Sequence, residues 1–176
     1  DILSNKNKFF VGSNRNLEKI YDVQTLLKAA ELICNKRNDI FFLIAGDGSL
    51  KNNYFNFIKQ KNLTNNVKLL GMLNKKEMLE FYNKIDIYVS TSLSDGGLAS
   101  SIAEAMSFER LIIISDNSDN KLWIKNRFNG FLYHSADYEN LSNLIINSIK
   151  SKEKSIEISK SSRDLIINKN SYQKEM

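Results

Sequence analysis

Continuous runs of apolar residues alternate along the chain with segments whose apolar residues recur every three or four positions. The continuous runs are typical of strands covered on both faces, and the recurring spacing is typical of helices with one buried face. The runs predict strands at Phe9–Gly12, Asp39–Gly46, Val67–Gly71, Ile85–Ser90, Leu111–Ser115 and Gly130–Tyr133. This alternation predicts an α/β Rossmann-like fold, a doubly wound parallel sheet of about six strands with helices on both faces.

Helix ends must be read from Asn, Asp, Ser and Gly, because the chain contains no proline. Asp22 and Asn74 are expected to cap the helices that follow them. Another helix is predicted to begin near Leu98, with Ile102 on its buried face and Glu104 on the opposite side.

Charge and composition narrow the classes of partner. The net charge is +5, and much of the excess lies in the last 27 residues, which include Lys152, Lys160 and Lys174. A solvated helix face explains these lysines, and attraction to an anionic membrane surface is the alternative, so peripheral membrane association stays open. No nucleic-acid partner is expected, because aromatic side chains do not alternate with the basic ones.

The single cysteine, Cys34, and the single histidine, His134, limit the chemistry further. They make a zinc site or catalysis by a Ser-His or Cys-His pair improbable, so we expect no metal. No apolar run reaches the roughly 20 residues of a membrane-spanning helix, and the first residues lack the pattern of a signal peptide. A cytoplasmic location is expected. The chain starts without Met, and we expect that an N-terminal portion is missing.

The turns that follow the predicted strands hold the candidate chemistry, because ligands of such sheets bind beyond the carboxyl ends of the strands. After the first strand, Gly12 permits close backbone approach, Arg15 can hold a diphosphate in a fork geometry, and Lys19 adds a positive charge nearby. An ordinary exposed basic turn is the alternative at this position.

Two further turns contain glycine. Gly46 and Gly48 form either a tight turn or a fragment of a phosphate-binding loop. Asp95, Gly96 and Gly97 precede the helix predicted to begin near Leu98, whose first amides, with the hydroxyls of Ser100 and Ser101, can face phosphate oxygens. Glu104 can bind the diol of a ribose, whereas a capping Asp95 and a solvated Glu104 are the structural alternative.

Five segments in this order resemble the C-terminal half of GT-B glycosyltransferases. They are Phe10–Arg15, Leu43–Gly48, Val67–Gly71, Ser94–Met106 and Asn129–Leu132. The chain is most similar to the large glycosyl transferases group 1 family, which includes sucrose synthase and many bacterial polysaccharide transferases.

The resemblance implies a role for each matching residue. Arg15, Lys19 and Asp95 are the implied catalytic residues, of which the two cations neutralise the diphosphate and Asp95 meets the transferred sugar. Glu104 is implied to bind the ribose of the nucleotide. The other implied donor-binding residues are Gly12, Ser13, Gly46, Gly48, Gly71, Met72, Leu73, Gly96, Gly97, Leu98, Ala99 and Ser100. The family separates its two acids by seven residues, whereas eight separate Asp95 from Glu104, so Asp95 or Gly96 occupies the first acidic position.

The resemblance also implies the activity and the organisation of the protein. Residues 1–150 would bind a nucleotide-diphosphate sugar without a cofactor, and a hexose would pass to a saccharide or lipid-linked acceptor with retention. The pathway would be the synthesis of polysaccharide, lipopolysaccharide or glycoconjugate. Residues 151–176 would be a helical tail that crosses to a missing N-terminal domain, leaving Ile158 and Ile166 poorly covered. Without that domain we expect no sugar transfer.

Other functions remain open at this point. A non-catalytic nucleotide-binding module of Rossmann-like fold is one, but a receiver domain would need paired acids after its first strand. A nicotinamide-dependent dehydrogenase would need a complete glycine-rich fingerprint. A sugar-nucleotide epimerase shares the GT-B architecture, although it would be expected to have more acid-base groups than one histidine supplies.

Overall fold

The computed structural model describes residues 8–117 and 119–170. Its six strands are β1 (Phe9–Ser13), β2 (Ile40–Ala45), β3 (Val67–Gly71), β4 (Ile87–Ser90), β5 (Leu111–Ser115) and β6 (Phe131–Tyr133). They form one sheet in the order β3-β2-β1-β4-β5-β6, and every neighbouring pair is parallel. The predicted doubly wound parallel sheet is therefore confirmed.

Helices connect the strands and cover both faces of the sheet. They are α1 (Val23–Cys34), α2 (Lys51–Gln60), α3 (Lys75–Lys84), α4 (Ser100–Ser107), α5 (Asn120–Trp123), α6 (Tyr138–Lys150) and α7 (Lys152–Asn170). A short 3₁₀ helix, Lys19–Tyr21, precedes α1. One apolar core lies between the sheet and α1, α2 and α6, and a second core lies between the opposite face and α3 and α4.

Capping side chains account for the starts of α3 and α6, where Asn74 and Asp137 accept from backbone amides. Asn74 caps α3 as expected and forms a capping box with Glu77, in which each side chain accepts from the backbone N–H of the other residue. Asp22 is different, because its backbone is left-handed and its carboxylate accepts from the Thr25 hydroxyl at 2.7 Å instead of from a backbone amide. The expectation that Asp22 caps α1 in the same way was wrong.

The C-terminal helix α7 packs on the α/β domain. Ile158 is 4% exposed and belongs to the first core, and Ile166 is 6% exposed and belongs to the second. The expectation that these two side chains are poorly covered was therefore wrong, whereas Ile167 is exposed. Burial at both positions makes α7 a structural link between the two faces of the sheet. Lys174 and the rest of 171–176 lie outside the described residues.

The strand order places a ligand cleft between β1 and β4. The chain runs outward from β1 through β2 to β3, then crosses to β4 and runs outward to β6. Loops that leave the carboxyl ends of β1 and β4 therefore diverge, and such a reversal opens a crevice at that edge of an α/β sheet. In the described part of the chain, no helix is both long enough and apolar enough to cross a membrane.

Candidate functional site

A cleft of about 610 Å³ opens at this edge of the sheet. Loops after β1 and β3 form one side of it, and helices α3 and α4 form the other. Its lining includes Arg15, Leu73, Tyr82, Ser101 and Glu104. The cleft has the size of sites that hold small molecules and nucleotides. Arg15 and Glu104, the two residues that the sequence assigns to diphosphate and ribose, face the same space.

Three side chains hold Arg15 in place, and Asn117 in turn holds Asp95. Its Nη1 donates a 2.9 Å hydrogen bond to Ser101 Oγ, and its Nη2 forms an ion pair with Asp95. The guanidinium carbon lies 4.5 Å from the centre of the Tyr21 ring, a distance typical of a cation–π contact. Asn117 Nδ2 donates to the second oxygen of Asp95 at 3.3 Å. The side chain of Arg15 is 12% exposed and that of Asp95 is fully buried, so the guanidinium is oriented before any ligand arrives.

The turn after β2 supports the Arg15 loop from behind. Gly46 has a φ of +124°, and a Cβ at this position would lie 2.4 Å from the carbonyl oxygen of Arg15. A Cβ at Gly48 would lie 2.6 Å from the carbonyl oxygen of Leu17. The amide of Leu17 also donates to Asp47 O at 2.9 Å. Glycine is thus needed here for the close approach of two backbones, and a contact of Gly46 or Gly48 with a donor stays a prediction.

The glycine turn before α4 is open. Gly96 and Gly97 have φ values of +67° and +125°, and a Cβ on either would meet nothing within 4 Å. The amide of Gly96 donates to Asp119 Oδ2 at 3.0 Å. Because the turn continues through extended Ala99, α4 begins at Ser100, and the prediction that it begins near Leu98 was wrong. Any phosphate contact with helix amides must therefore start at Ser100.

Glu104 lies one turn beyond Ser101 on the exposed side of α4, where the amphipathic pattern placed it. Its Oε2 accepts a 2.8 Å hydrogen bond from the hydroxyl of Tyr82 on α3. Burial raises the pKa of Tyr82 well above its usual range, and the neighbouring Tyr88 and the hydrogen bond to Glu104 act in the same direction. The phenol therefore stays protonated and donates to the carboxylate.

Comparison with known proteins identifies the family. The sequence profile of "Glycosyl transferases group 1" matches residues 1–165. The chain belongs to this family. It is 32% identical over 131 residues to UDP-Gal:alpha-D-GlcNAc-diphosphoundecaprenol alpha-1,3-galactosyltransferase of Escherichia coli, a match that covers 74% of this chain and 33% of that protein.

Two comparisons with Staphylococcus aureus proteins agree with this family assignment. The poly(ribitol-phosphate) alpha-N-acetylglucosaminyltransferase of strain COL is 31% identical over 153 residues, or 84% of this chain and 29% of the relative. A mutant of S. aureus TarM, crystallised with Fondaparinux, alpha-GlcNAc-glycerol and UDP, superposes with a TM-score of 0.87 at 26% identity. That superposition covers 96% of this chain and 34% of TarM. The chain spans about a third of the length of the curated relatives it matches.

The remaining residues implied by the glycosyl transferases group 1 resemblance lie at different distances from the cleft. Leu73 lines it, whereas Met72 beside it is 69% exposed and Gly71 occupies a left-handed turn. Gly12 is buried in β1, where a Cβ would lie 2.6 Å from the side chain of Ile85. Close packing of β1 against Ile85 therefore requires glycine at this position.

Four more predicted positions complete the picture. Ser13 is fully buried, Leu98 and Ala99 pack against the second core, and Lys19 is exposed on the 3₁₀ helix. Within the described residues, Lys19 is not part of the cleft wall. Its contact with a diphosphate stays a prediction.

Four residues outside the predicted set contact a predicted site residue or its hydrogen-bonding partner: Asn14, Tyr21, Tyr82 and Asn117. For Asn117 a signal existed, because it follows β5 at the same edge of the sheet. Tyr82 lies on the buried face of α3, and the spacing of apolar residues along a helix does not reveal where a buried hydroxyl points.

Proposed function

We propose that this chain is the donor-binding domain of a retaining glycosyltransferase that uses a nucleotide-diphosphate sugar. The enzyme would transfer a hexose to a hydroxyl of a saccharide or lipid-linked acceptor in polysaccharide, lipopolysaccharide or glycoconjugate synthesis. The observation that carries the proposal is the meeting of Arg15 and Glu104 in one cleft beyond the carboxyl ends of the strands. Family membership supports it.

The cleft suits the difficult step of such a transfer, which is departure of the diphosphate. Negative charge grows on the leaving phosphate, and preorganised donors aimed at that charge lower the barrier most effectively. Arg15 supplies a fixed cation, and the first amides of α4 from Ser100 supply the positive end of a helix dipole. Glu104 would accept from the ribose hydroxyls and fix the nucleotide's orientation. These groups would act without a metal or a cofactor.

The names of two relatives support a uridine nucleotide as the donor in this proposal. One curated relative uses UDP-Gal, and UDP is bound to the TarM mutant. The acceptor site would belong to an N-terminal domain, because the chain spans about a third of its curated relatives. Asp95 would meet the transferred sugar only after leaving Arg15. Contact with the inner face of the membrane remains part of the proposal, and the positive charge of the tail supports it.

Calorimetric titration with UDP, GDP and ADP tests the proposal. We expect UDP to bind, and we expect Arg15→Ala and Glu104→Ala each to weaken it by about tenfold or more, since each removes a charge-assisted contact. Lys36→Ala is the control, because it removes one positive charge between α1 and β2, at the opposite edge of the sheet. Indifference of the wild-type chain to all three nucleotides would overturn the proposal. Sugar transfer by this chain alone would refute the assignment of the acceptor site to another domain.

A further inference from the structure

The ring of Tyr82 packs among apolar side chains, but its hydroxyl reaches a polar group in the cleft. It is 1% exposed, and its ring stacks on Phe108 at 5.2 Å and meets Phe81 edge-on at 5.4 Å. These contacts would be satisfied equally by phenylalanine. The hydroxyl nevertheless reaches Glu104 Oε2 at 2.8 Å, at the wall of the cleft.

The hydrogen bonds around this hydroxyl have one consistent direction. Asn14 Nδ2 donates to the Tyr82 oxygen at 2.8 Å, and an amide N–H cannot accept. The single phenolic proton then faces two acceptors, Glu104 Oε2 at 2.8 Å and the carbonyl oxygen of Ser101 at 3.2 Å. The carboxylate is both closer and charged, so it accepts the stronger hydrogen bond from the phenol, which keeps its proton. The relay runs from Asn14 through Tyr82 to Glu104.

This relay fixes a side chain that would otherwise sample several rotamers. Glu104 is exposed, and an exposed glutamate loses rotamer freedom when it binds a ligand. With Oε2 anchored by Tyr82, the other oxygen makes no hydrogen bond to the residues the structure describes. It is left to accept from a ligand hydroxyl in the cleft.

We infer that Tyr82, oriented by Asn14, is the positioning residue that presents Glu104 to the ribose diol and lets the site select ribonucleotides. The inference rests on the proposed function, because it assigns the ribose to Glu104. It adds two residues that do not themselves need to touch the diol, and it assigns the selectivity to a buried hydroxyl on α3.

The test compares UDP with 2′,3′-dideoxy-UDP, which lacks both ribose hydroxyls. We expect the wild-type chain to bind UDP about tenfold more tightly, the effect of one or two hydrogen bonds to a charged group. Tyr82→Phe should reduce this ratio to about threefold or less and leave the dissociation constant for the dideoxy nucleotide unchanged. The matched control is Tyr133→Phe, since the buried Tyr133 hydroxyl has no hydrogen-bond partner among the described residues. Tyr133→Phe should leave the ratio unchanged.

A second variant tests the same relay without removing the ring. Aspartate at position 14 has nearly the same shape as asparagine, but its carboxylate can only accept a hydrogen bond. In Asn14→Asp the Tyr82 hydroxyl would therefore donate to residue 14 instead of to Glu104. The new negative charge should weaken both nucleotides together, and the loss of orientation should lower the ratio as in Tyr82→Phe.

The outcomes separate the inference from the function on which it rests. A wild-type ratio that persists in both variants, or a Tyr82→Phe variant that weakens both nucleotides equally, overturns the inference and leaves the donor site intact. A wild-type chain that binds neither nucleotide overturns the proposed function itself. The thermal unfolding midpoint of each variant is measured to verify that the variant is folded at the temperature of the titration.

Discussion

The ion pair between Arg15 and Asp95 joins two loops that lie 80 residues apart in the sequence. Arg15 follows β1, and Asp95 precedes the glycine turn that leads into α4. Asp95 therefore pairs with the same guanidinium that is proposed to hold a diphosphate. A carboxylate and a diphosphate compete for the same cation, so the pair affects both stability and nucleotide affinity.

Replacing Asp95 separates these two effects. In Asp95→Asn the guanidinium keeps its charge but loses its charged partner in a nearly dry site, so the free energy of unfolding should fall by about 2 kcal/mol, the contribution of a hydrogen bond between charged groups. The affinity for UDP should rise about fivefold, because one negative charge beside the diphosphate is gone. Urea denaturation and calorimetry measure the two quantities.

Asp119→Asn is the matched control for that experiment. Asp119 accepts from the amide of Gly96 in the same turn, and asparagine can still accept there. An Asp119→Asn variant that gains as much affinity as Asp95→Asn would attribute the effect to general charge and not to release of Arg15. Unchanged UDP affinity in Asp95→Asn would show that the ion pair does not compete with the ligand.

The two left-handed glycines Gly46 and Gly97 provide a matched pair of substitutions. Their φ values are +124° and +125°, so Gly46→Ala and Gly97→Ala carry similar backbone strain, about 1–3 kcal/mol each. A methyl group at Gly46 also meets the carbonyl oxygen of Arg15 at 2.4 Å, whereas one at Gly97 meets nothing within 4 Å. Overpacking should make Gly46→Ala less stable by about a further 2 kcal/mol.

Urea denaturation of the two variants measures this difference. Gly46→Ala should in addition weaken UDP binding, because the backbone of Arg15 must move to admit the methyl group. Equal stabilities of the two variants would mean that the backbone of Arg15 moves aside without a loss of free energy of unfolding. The turn at Gly46 would then not fix the Arg15 loop.

The sheet and the meeting of Arg15 with Glu104 were predictable for the same reason. Uninterrupted apolar runs predict strands covered on both faces, and parallel strands bring the residues after their carboxyl ends to one edge. The pairing of Arg15 with Asp95 and the hydroxyl contact of Tyr82 were not predictable, since both depend on side-chain direction across long sequence separations. Periodicity reports which face of a helix is buried and not which buried atom is polar.

The start of α4 shows a second limit. Gly96 and Gly97 in the sequence predict a turn followed by a helix that begins near Leu98. Glycine backbones with positive φ can continue in several directions, and here the turn extends through Ala99. The sequence signal for the true start was Ser100-Ser101, because serine is favoured near helix N-termini.

Helix α7 contributes to stability through the buried side chains of Ile158 and Ile166. Ile158→Ala should lower the free energy of unfolding by about 2–4 kcal/mol, because it leaves a cavity where α7 meets the core. The matched change Ile167→Ala, at a residue that is 45% exposed, should cost less than about 0.5 kcal/mol. Urea denaturation followed by circular dichroism measures both. Equal and small effects would mean that α7 docks elsewhere, as a helix committed to another domain would.

The ion pair between Arg37 and Asp39 makes part of the stability dependent on pH. Arg37 Nε and Nη2 donate to the two carboxylate oxygens at 2.9 and 2.5 Å, and this hydrogen bonding holds the pKa of Asp39 below its usual value. A carboxyl group whose pKa is lower in the folded state stabilises the fold above its unfolded pKa of about 4. That contribution is lost as the pH falls through the lower, folded value.

The difference in free energy of unfolding between wild type and Asp39→Asn should therefore be constant from pH 7 to about pH 5 and shrink below about pH 4. Urea denaturation across this range measures it. The matched background is Arg37→Gln, in which Asp39 has lost its cationic partner, so the same Asp39→Asn difference should be smaller at pH 7 and depend less on pH. A difference that grows on acidification would contradict the sign of the pKa shift, because it would require the folded state to bind the proton more tightly than the unfolded chain does.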